Sequence, residues 1–245
     1  MRRTQQQRSD ACQGHLNMSA TPDDNSYDAL PSNGGAFGLG ESTSPTPIKA
    51  PALNFSPELL LRAQGVKLVF FDVDGVLTDG GLYFSEYPDG HESAAPAGGF
   101  RSAGEITKRF NTLDGQGLKL LQKAGITPAV ITGRDSPVLR ARLAALGIAH
   151  AHFGAEDKRH AGETVLLALG LDWTAAAAMG DDWPDLPMMR RAAFSCAPFN
   201  AHAEVKVQAH FVTQACGGHG AVRELCDLLL IASGRYASLL REYNQ

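Results

Sequence analysis

The sequence has only four cysteines, Cys12, Cys196, Cys216 and Cys226, and none stands in a C-x-x-C pair. That excludes a disulfide-dense scaffold and a thiolate zinc site, and it suits structural thiols in a reducing compartment. No apolar stretch approaches the roughly 20 residues that span a bilayer. The first residues, MRRTQQQRSDACQG, carry bases with no apolar run behind them, so no secretory leader is expected. Excess positive charge is lacking as well. The formal net charge is −4, which excludes a nucleic-acid-binding surface built from the chain as a whole. No repeat with a period of about 20–50 residues is visible, which excludes a solenoid or a propeller. These absences leave a cytoplasmic chain with neither nucleic acid nor membrane as partner.

What is present is unevenly distributed. Hydrophobic residues make up 44% of the chain, enough for one α/β domain with a core. Residues 1–60 hold little of it. They are rich in Pro, Gly and Ser and lack apolar periodicity, so they cannot offset the entropy of ordering. A disordered extension is expected over 1–60, a folded domain over 61–236, and a short C-terminal tail over 237–245. A short helix over residues 58–65, stopped by Gly65, is expected to lead into the core.

The domain is organised around Lys67–Asp79, KLVFFDVDGVLTD. Leu68-Val69-Phe70-Phe71 reads as a strand buried on both faces of a parallel sheet, and it ends abruptly in Asp72. Asp74 follows, then Gly75. In open α/β sheets, ligands bind just past the carboxyl ends of such strands. Two carboxylates there are costly unless a cation neutralises them, and a hard divalent ion such as Mg²⁺ suits carboxylate and phosphate oxygens.

The same theme recurs down the chain. Pro128–Ile131 is a short apolar strand that ends in Thr132-Gly133-Arg134. Alanine-rich Ala175–Met179 ends in Gly180-Asp181-Asp182, with Asp185 beyond. Helical patterns separate these strands. One follows Asp114, which is read as its N-cap. Ser136 caps a second, with Leu139, Leu143 and Leu146 on one face. A third begins at Asp157-Lys158. Ala192–Cys196 and Phe211-Val212 are candidate edge strands. Gly217–Glu224, GGHGAVRE, opens what reads as the final helix, with a stripe at Val222, Leu225, Cys226, Leu229 and Leu230. The alternation predicts an α/β fold: three layers, with a Rossmann-like parallel sheet between helices. After Gly80, an aromatic run and Pro88-Asp89-Gly90 predict a hairpin. Its tip is a small-residue loop over 93–105, and Ile106–Phe110 is the return strand.

Parallel strands place their carboxyl ends on one edge, so Asp72/Asp74, Thr132/Arg134 and Asp181/Asp182 converge there without further assumption. Each has a bland reading. The paired acids are often turn residues or helix caps. Lys158 alone is an ordinary solvated lysine. Four such blocks in order, each at a strand end or helix start, favour phosphoryl transfer. It needs a nucleophile, a metal ion and donors for the equatorial oxygens.

The loop Asp72–Gly80, DVDGVLTDG, resembles the signature loop of the haloacid dehalogenase superfamily. In its longer form it resembles the 3-deoxy-D-manno-octulosonate 8-phosphate phosphatases and their nonulosonate 9-phosphate relatives. GGHGAVRE is similar to the GGxGAVRE block of the same family. The resemblance covers roughly residues 64–234. It implies a haloacid dehalogenase-like, capless fold with a β-hairpin insertion at about 80–110, and a homotetramer. It implies a phosphoric monoester hydrolase acting on an acidic sugar phosphate in lipopolysaccharide core biosynthesis. Two alternatives stay open: the same chemistry on a nonulosonate 9-phosphate, and a non-catalytic oligomerisation module.

The resemblance also implies roles. Asp72 is the nucleophile and Asp74 the general acid/base. Thr132 and Lys158 serve the phosphate. Mg²⁺ is held by Asp72, Asp74 (through its carbonyl) and Asp181, with Asp182 and Asp185 orienting the ligands. Substrate contacts fall to Asp74, Asn111, Thr112, Leu113, Asp114, Gly115, Lys119, Arg134, Arg142 and Lys158. The family often carries a base where Leu113 stands, so the leucine removes one contact.

Overall fold

The computed structural model describes residues 53–84 and 105–245. Its strands are β1 (Leu68–Phe71), β2 (Tyr83–Phe84), β3 (Glu105–Thr107), β4 (Thr127–Ile131), β5 (His150–His152), β6 (Ala176–Met179), β7 (Phe194–Ala197) and β8 (Phe211–Val212). The helices are α1 (Pro57–Ala63), α2 (Thr112–Lys123), α3 (Pro137–Leu146), α4 (Lys158–Leu169), α5 (Leu186–Met189), α6 (Ala203–Gln208), α7 (Ala221–Ala232) and α8 (Tyr236–Glu242). Six strands form a parallel sheet in the order β5-β4-β1-β6-β7-β8. β2 and β3 form a separate antiparallel ribbon.

β1 lies inside the sheet because nothing in it needs water. All four of its side chains are fully buried. They alternate between two cores, as the pleat of a strand requires. Val69 and Phe71 face a core shared with α1, α2, α3 and α7. Leu68 and Phe70 face a second core shared with α4, α5 and α6. The result is the three-layer arrangement that the strand–helix alternation implies. From β1 the chain runs outward through β4 to β5, then returns to β6 on the other side of β1. The strand order therefore reverses beside β1, the place where open α/β sheets bind ligands.

Local signals set the helix ends. Ser136 Oγ accepts from Leu139 N–H at 3.2 Å to start α3. Asp157 Oδ1 accepts from His160 N–H at 3.1 Å to start α4. The helix after the signature strand starts differently from expectation. Its cap is Asn111, whose Oδ1 accepts from Leu113 N–H at 2.8 Å. Asp114 lies inside the first turn, with its carboxylate turned to another helix.

Other boundaries differ too. α1 begins at Pro57, inside the stretch expected to be disordered, because Ser56 caps it and its Ala63 is buried. Residues 1–52 lie outside the described residues, as do 85–104 at the hairpin tip. β7 is internal, since β8 pairs on its outer side with Cys196 opposite Phe211. α7 is not the last helix. The expected tail over 237–245 forms most of α8, which buries Leu239. Cys196 and Cys226 are buried free thiols. Among the described residues, no helix is long and apolar enough to cross a membrane.

The apolar stripe of α7 is buried in the first core, with Leu225 fully covered. Leu225→Ala should therefore destabilise the protein by about 2–5 kcal/mol. Leu167 on α4 is 84% exposed, and Leu167→Ala should change stability by no more than about 0.5 kcal/mol. Urea unfolding of the two variants checks the contrast. Equal losses would place the core wrongly.

Candidate active site

Asp72 directly follows β1. Its N–H donates to Met179 O at 3.0 Å, which continues the β1–β6 ladder by one step. The carboxylate is buried. Lys158, the first residue of α4, reaches it across the sheet edge. Lys158 Nζ donates to Asp72 Oδ1 at 2.6 Å and to Asp185 Oδ1 at 2.7 Å. Asp185 uses its other oxygen to accept from Asp181 N–H at 3.1 Å and Asp182 N–H at 3.2 Å. Asp185 is thus occupied on both oxygens and orients the neighbouring groups. Asp182 has a local task, since its side chain caps the turn Trp183–Asp185.

Asp181 is the exception in this network. Its Oδ1 is buried and has no hydrogen-bond partner. Its carboxylate lies against Gly75, where a Cβ would stand 2.2 Å from Asp181 Oδ2. Gly75 also has φ +96°, so glycine is required there on both grounds. Ligand atoms of Asp72, Asp181 and Asp185 lie within 4.8 Å of one another.

Three carboxylates therefore surround one ammonium in a buried setting, which leaves an excess of negative charge. The titration of the groups reflects it. Burial raises Asp72 to about 6, and the Asp185 charge adds to this against the pull of Lys158. Burial raises Asp181 to about 8, reinforced by the charges of Asp72 and Asp185. For Lys158, burial disfavours the charge, but Asp72 and Asp185 outweigh it and the pKa is raised. A divalent cation answers both the charge excess and the orphaned Asp181 oxygen. Asp72 and Asp181 fit as its holders, with Asp185 behind them.

Asp74 points elsewhere. Lys108 Nζ donates to Asp74 Oδ1 at 2.5 Å, and Arg134 Nε lies 3.7 Å from Asp74 Oδ2. Arg134 is half exposed, so it stands at the rim. The side chain grouped with Asp72 and Asp181 is that of Asp185, and that of Asp74 joins a lysine from the hairpin; the metal contact expected of Asp74 is through its carbonyl. Thr132 is buried at the end of β4. Its Oγ1 accepts from Arg134 N–H at 3.2 Å, so its own proton is available to another acceptor.

The expected substrate contacts divide. Lys158, Asp74 and Arg134 lie at the strand-end cluster. Asp114 stands apart from that cluster: it is buried, and its two oxygens accept from Gly220 N–H at 3.3 Å and Arg223 N–H at 2.8 Å. It caps α7, whose own N-cap residue, Gly220, has no side chain to do so. Burial raises Asp114 to about 6, while those N–H groups pull the other way. Arg142 Nη2 donates to Asn111 O at 3.4 Å and lies against Gly115, so these three tie α2 to α3. Thr112, Leu113 and Lys119 stand exposed on α2.

Two contributors were not foreseen. Lys108 was read only as part of a return strand; its sole signal is a lysine inside an otherwise β-type run. Asn200 had none. Asn200 Nδ2 donates to Gly75 O at 3.1 Å, and its Oδ1 accepts from Gly217 N–H at 2.7 Å. It thereby ties the signature loop to the GGHG turn. The approach is so close that a Cβ on Gly217 would lie 1.8 Å from Gly75 O.

Asp72 and Asp181 have folded pKa values above the ordinary 3.8, so each holds its proton more tightly when folded. Their contribution to stability is full below about pH 3.8 and is lost as pH rises through about 6 and about 8. Metal-free protein should therefore show a falling unfolding midpoint between about pH 5 and about pH 8.5. Mg²⁺ should raise the midpoint more at the upper end, where it need not displace protons. Differential scanning fluorimetry checks this, and a Mg²⁺ effect equal at both ends would contradict it.

Comparison with known proteins agrees with the geometry. Residues 154–225 match a family described as haloacid dehalogenase-like hydrolase. The chain is 37% identical over 180 residues to the 3-deoxy-D-manno-octulosonate 8-phosphate phosphatase of Salmonella typhimurium, covering 74% of this chain and 87% of that one. A probable YrbI family phosphatase from Pseudomonas syringae superposes with TM-score 0.68 at 43% identity, over 78% of this chain and 99% of the other. The Moraxella catarrhalis 3-deoxy-D-manno-octulosonate 8-phosphate phosphatase, solved with magnesium, phosphate and the sugar acid, superposes with TM-score 0.67 at 34% identity. That match covers 76% of this chain and 98% of the other. The chain is a phosphatase, and it belongs to the 3-deoxy-D-manno-octulosonate 8-phosphate phosphatase family of haloacid dehalogenase-like hydrolases.

Proposed function

We propose that the protein hydrolyses 3-deoxy-D-manno-octulosonate 8-phosphate to the free sugar acid and phosphate, in a Mg²⁺-dependent reaction through an aspartyl-phosphate. The observation that carries the reading is the buried Asp72–Asp181–Asp185 cluster around Lys158, with Asp74 beside it at the strand-order reversal. Mg²⁺ held by Asp72 and Asp181 would supply charge neutralisation for the transferring phosphoryl group.

This chain's residues divide the remaining work. Asp72 attacks phosphorus; its bond to phosphorus forms as the bond to the sugar oxygen breaks. Asp74 gives a proton to that leaving oxygen. It then takes one from the water that attacks phosphorus and frees Asp72. Thr132 Oγ1–H and Lys158 Nζ–H donate to the phosphoryl oxygens, where charge develops. Arg134 at the rim suits the second anionic group of an acidic sugar phosphate. Asn111, Thr112, Leu113, Lys119 and Arg142 remain candidate contacts to the sugar acid, by resemblance alone.

The reading extends to setting and assembly. The reaction belongs to lipopolysaccharide core formation in the cytoplasm. The β2–β3 ribbon leaves Leu82 and Tyr83 exposed, as a surface covered by another subunit of a homotetramer would. Light scattering at the mass of four chains supports this arm; the mass of one chain rejects it.

Against a panel of sugar phosphates, the octulosonate ester should give the highest kcat/KM, and EDTA should abolish phosphate release. A rate no better than that of generic esters would overturn the substrate, and preference for a nonulosonate 9-phosphate would select that alternative. Asp72→Asn should lower kcat by at least about a thousandfold with the fold intact. Undiminished turnover would remove Asp72 from its role. A non-catalytic module would show no metal-dependent turnover at all.

A further inference from the structure

We infer that Lys108 is a positioning residue: from the hairpin it holds one oxygen of Asp74, so that the other, Oδ2, carries the proton to and from the reacting groups. The inference rests on the phosphatase reading above, in which Asp74 is the general acid and base. Two carboxylates leave the signature loop, and each meets a lysine from a different element. Lys158 of α4 donates to Asp72 Oδ1 at 2.6 Å, and Lys108, just past β3, donates to Asp74 Oδ1 at 2.5 Å. The first pair is buried on both sides. In the second, the Lys108 side chain is 1% exposed and that of Asp74 is 22% exposed. The hairpin thus buries its lysine against a carboxylate that still opens to the site.

The lysine is delivered by backbone that is fixed on both sides. Thr107, one residue before it, pairs with Tyr83 in the ribbon. Phe110, two residues after it, pairs with Thr78 of the signature loop in an antiparallel bridge. The ammonium has three N–H donors, and one of them suffices for Asp74 Oδ1, whatever the others address.

The Asp74 side chain is held less firmly by the rest of its surroundings. Among the described residues, no other hydrogen bond reaches its carboxylate. Arg134 Nε stands 3.7 Å from Oδ2, beyond hydrogen-bond reach, on a side chain that is half exposed. Oδ1 can accept from Lys108 whether Asp74 is a carboxylate or an acid, so the transferable proton has its place on Oδ2. Without Lys108 the carboxyl group turns more freely about its side-chain bonds. An ångström of misplacement at a reacting group costs up to about a hundredfold in rate.

The leaving group supplies a test that a merely structural role would not pass. The ratio kcat/KM covers phosphoryl transfer to Asp72, before water enters, and so isolates the acid half of the work of Asp74. An alkyl sugar phosphate needs its leaving oxygen protonated, whereas p-nitrophenyl phosphate releases a stable phenolate that needs little help. Lys108→Met should lower kcat/KM for the octulosonate ester by about thirtyfold, and for p-nitrophenyl phosphate by no more than about threefold. The retained aryl activity also shows that the variant is folded. Asp74→Asn completes a double-mutant cycle. Alone it should lower kcat/KM for the octulosonate ester by at least about a hundredfold, and adding Lys108→Met should change that value by no more than about twofold. An effect of Lys108 through any other contact survives in the Asp74→Asn background and shows there. Equal losses on the two esters, no loss on the sugar ester, or a full second loss in the Asp74→Asn background overturns the inference. Asp74→Asn enzyme undiminished on the sugar ester, or wild-type enzyme inactive on both, overturns the parent reading and this one with it.

Discussion

Three carboxylates and one ammonium, packed where water is largely excluded, are the constraint on which the rest of this structure depends. Lys158 satisfies one oxygen each of Asp72 and Asp185. Asp181 is left with a buried oxygen that nothing in the described chain addresses. Burying unpaired charge is expensive, and proteins accept it where function needs it. Here the expense makes the site receptive to a divalent cation and, with it, to a phosphate. Asp185 holds Lys158 and the Asp181–Asp182 backbone in place.

The fold serves this cluster by convergence. β1 is flanked by β4 and β6, so the residues just after these strands meet at one sheet edge without any long connection. α4 begins at that edge with Asp157 as its cap, which delivers Lys158 at once. Behind the signature loop, two glycines and Asn200 bring the GGHG turn into backbone contact with Gly75. That contact forbids side chains at Gly217 and fixes the loop from the rear. Asp114 then caps α7, the helix that follows the turn. Loop, turn and helix form one unit, and the hairpin brings Lys108 to it from outside.

Much of this was legible in the sequence, because each strand end advertises itself. An apolar run that stops at Asp72, Thr132 or Gly180-Asp181 is a local pattern, and a parallel sheet converts such patterns into one site. Ser136 marked α3 for the same reason: capping is local. What failed was not local. Asp114 has the right residue type for a helix cap, but the helix it caps lies more than a hundred positions away, and Asn111 takes the nearer task. β7 carried no sign of being internal, since whether a strand is an edge depends on what β8 does. Residues 237–245 lacked a long apolar stripe, yet α8 forms by docking Leu239. Lys108 and Asn200 act through contacts with Asp74 and Gly75 that no spacing reveals.

The central claim is that the charge excess around Lys158 exists to make Asp72 a phosphoryl acceptor. Acid quench of Asp74→Asn enzyme during turnover of an aryl phosphate, followed by peptide mass spectrometry, tests it most directly. Loss of the base that activates water should let the covalent species accumulate. The account predicts a phosphoryl group on Asp72. A phosphoryl group on another residue, or turnover with no phosphorylated peptide, would contradict it.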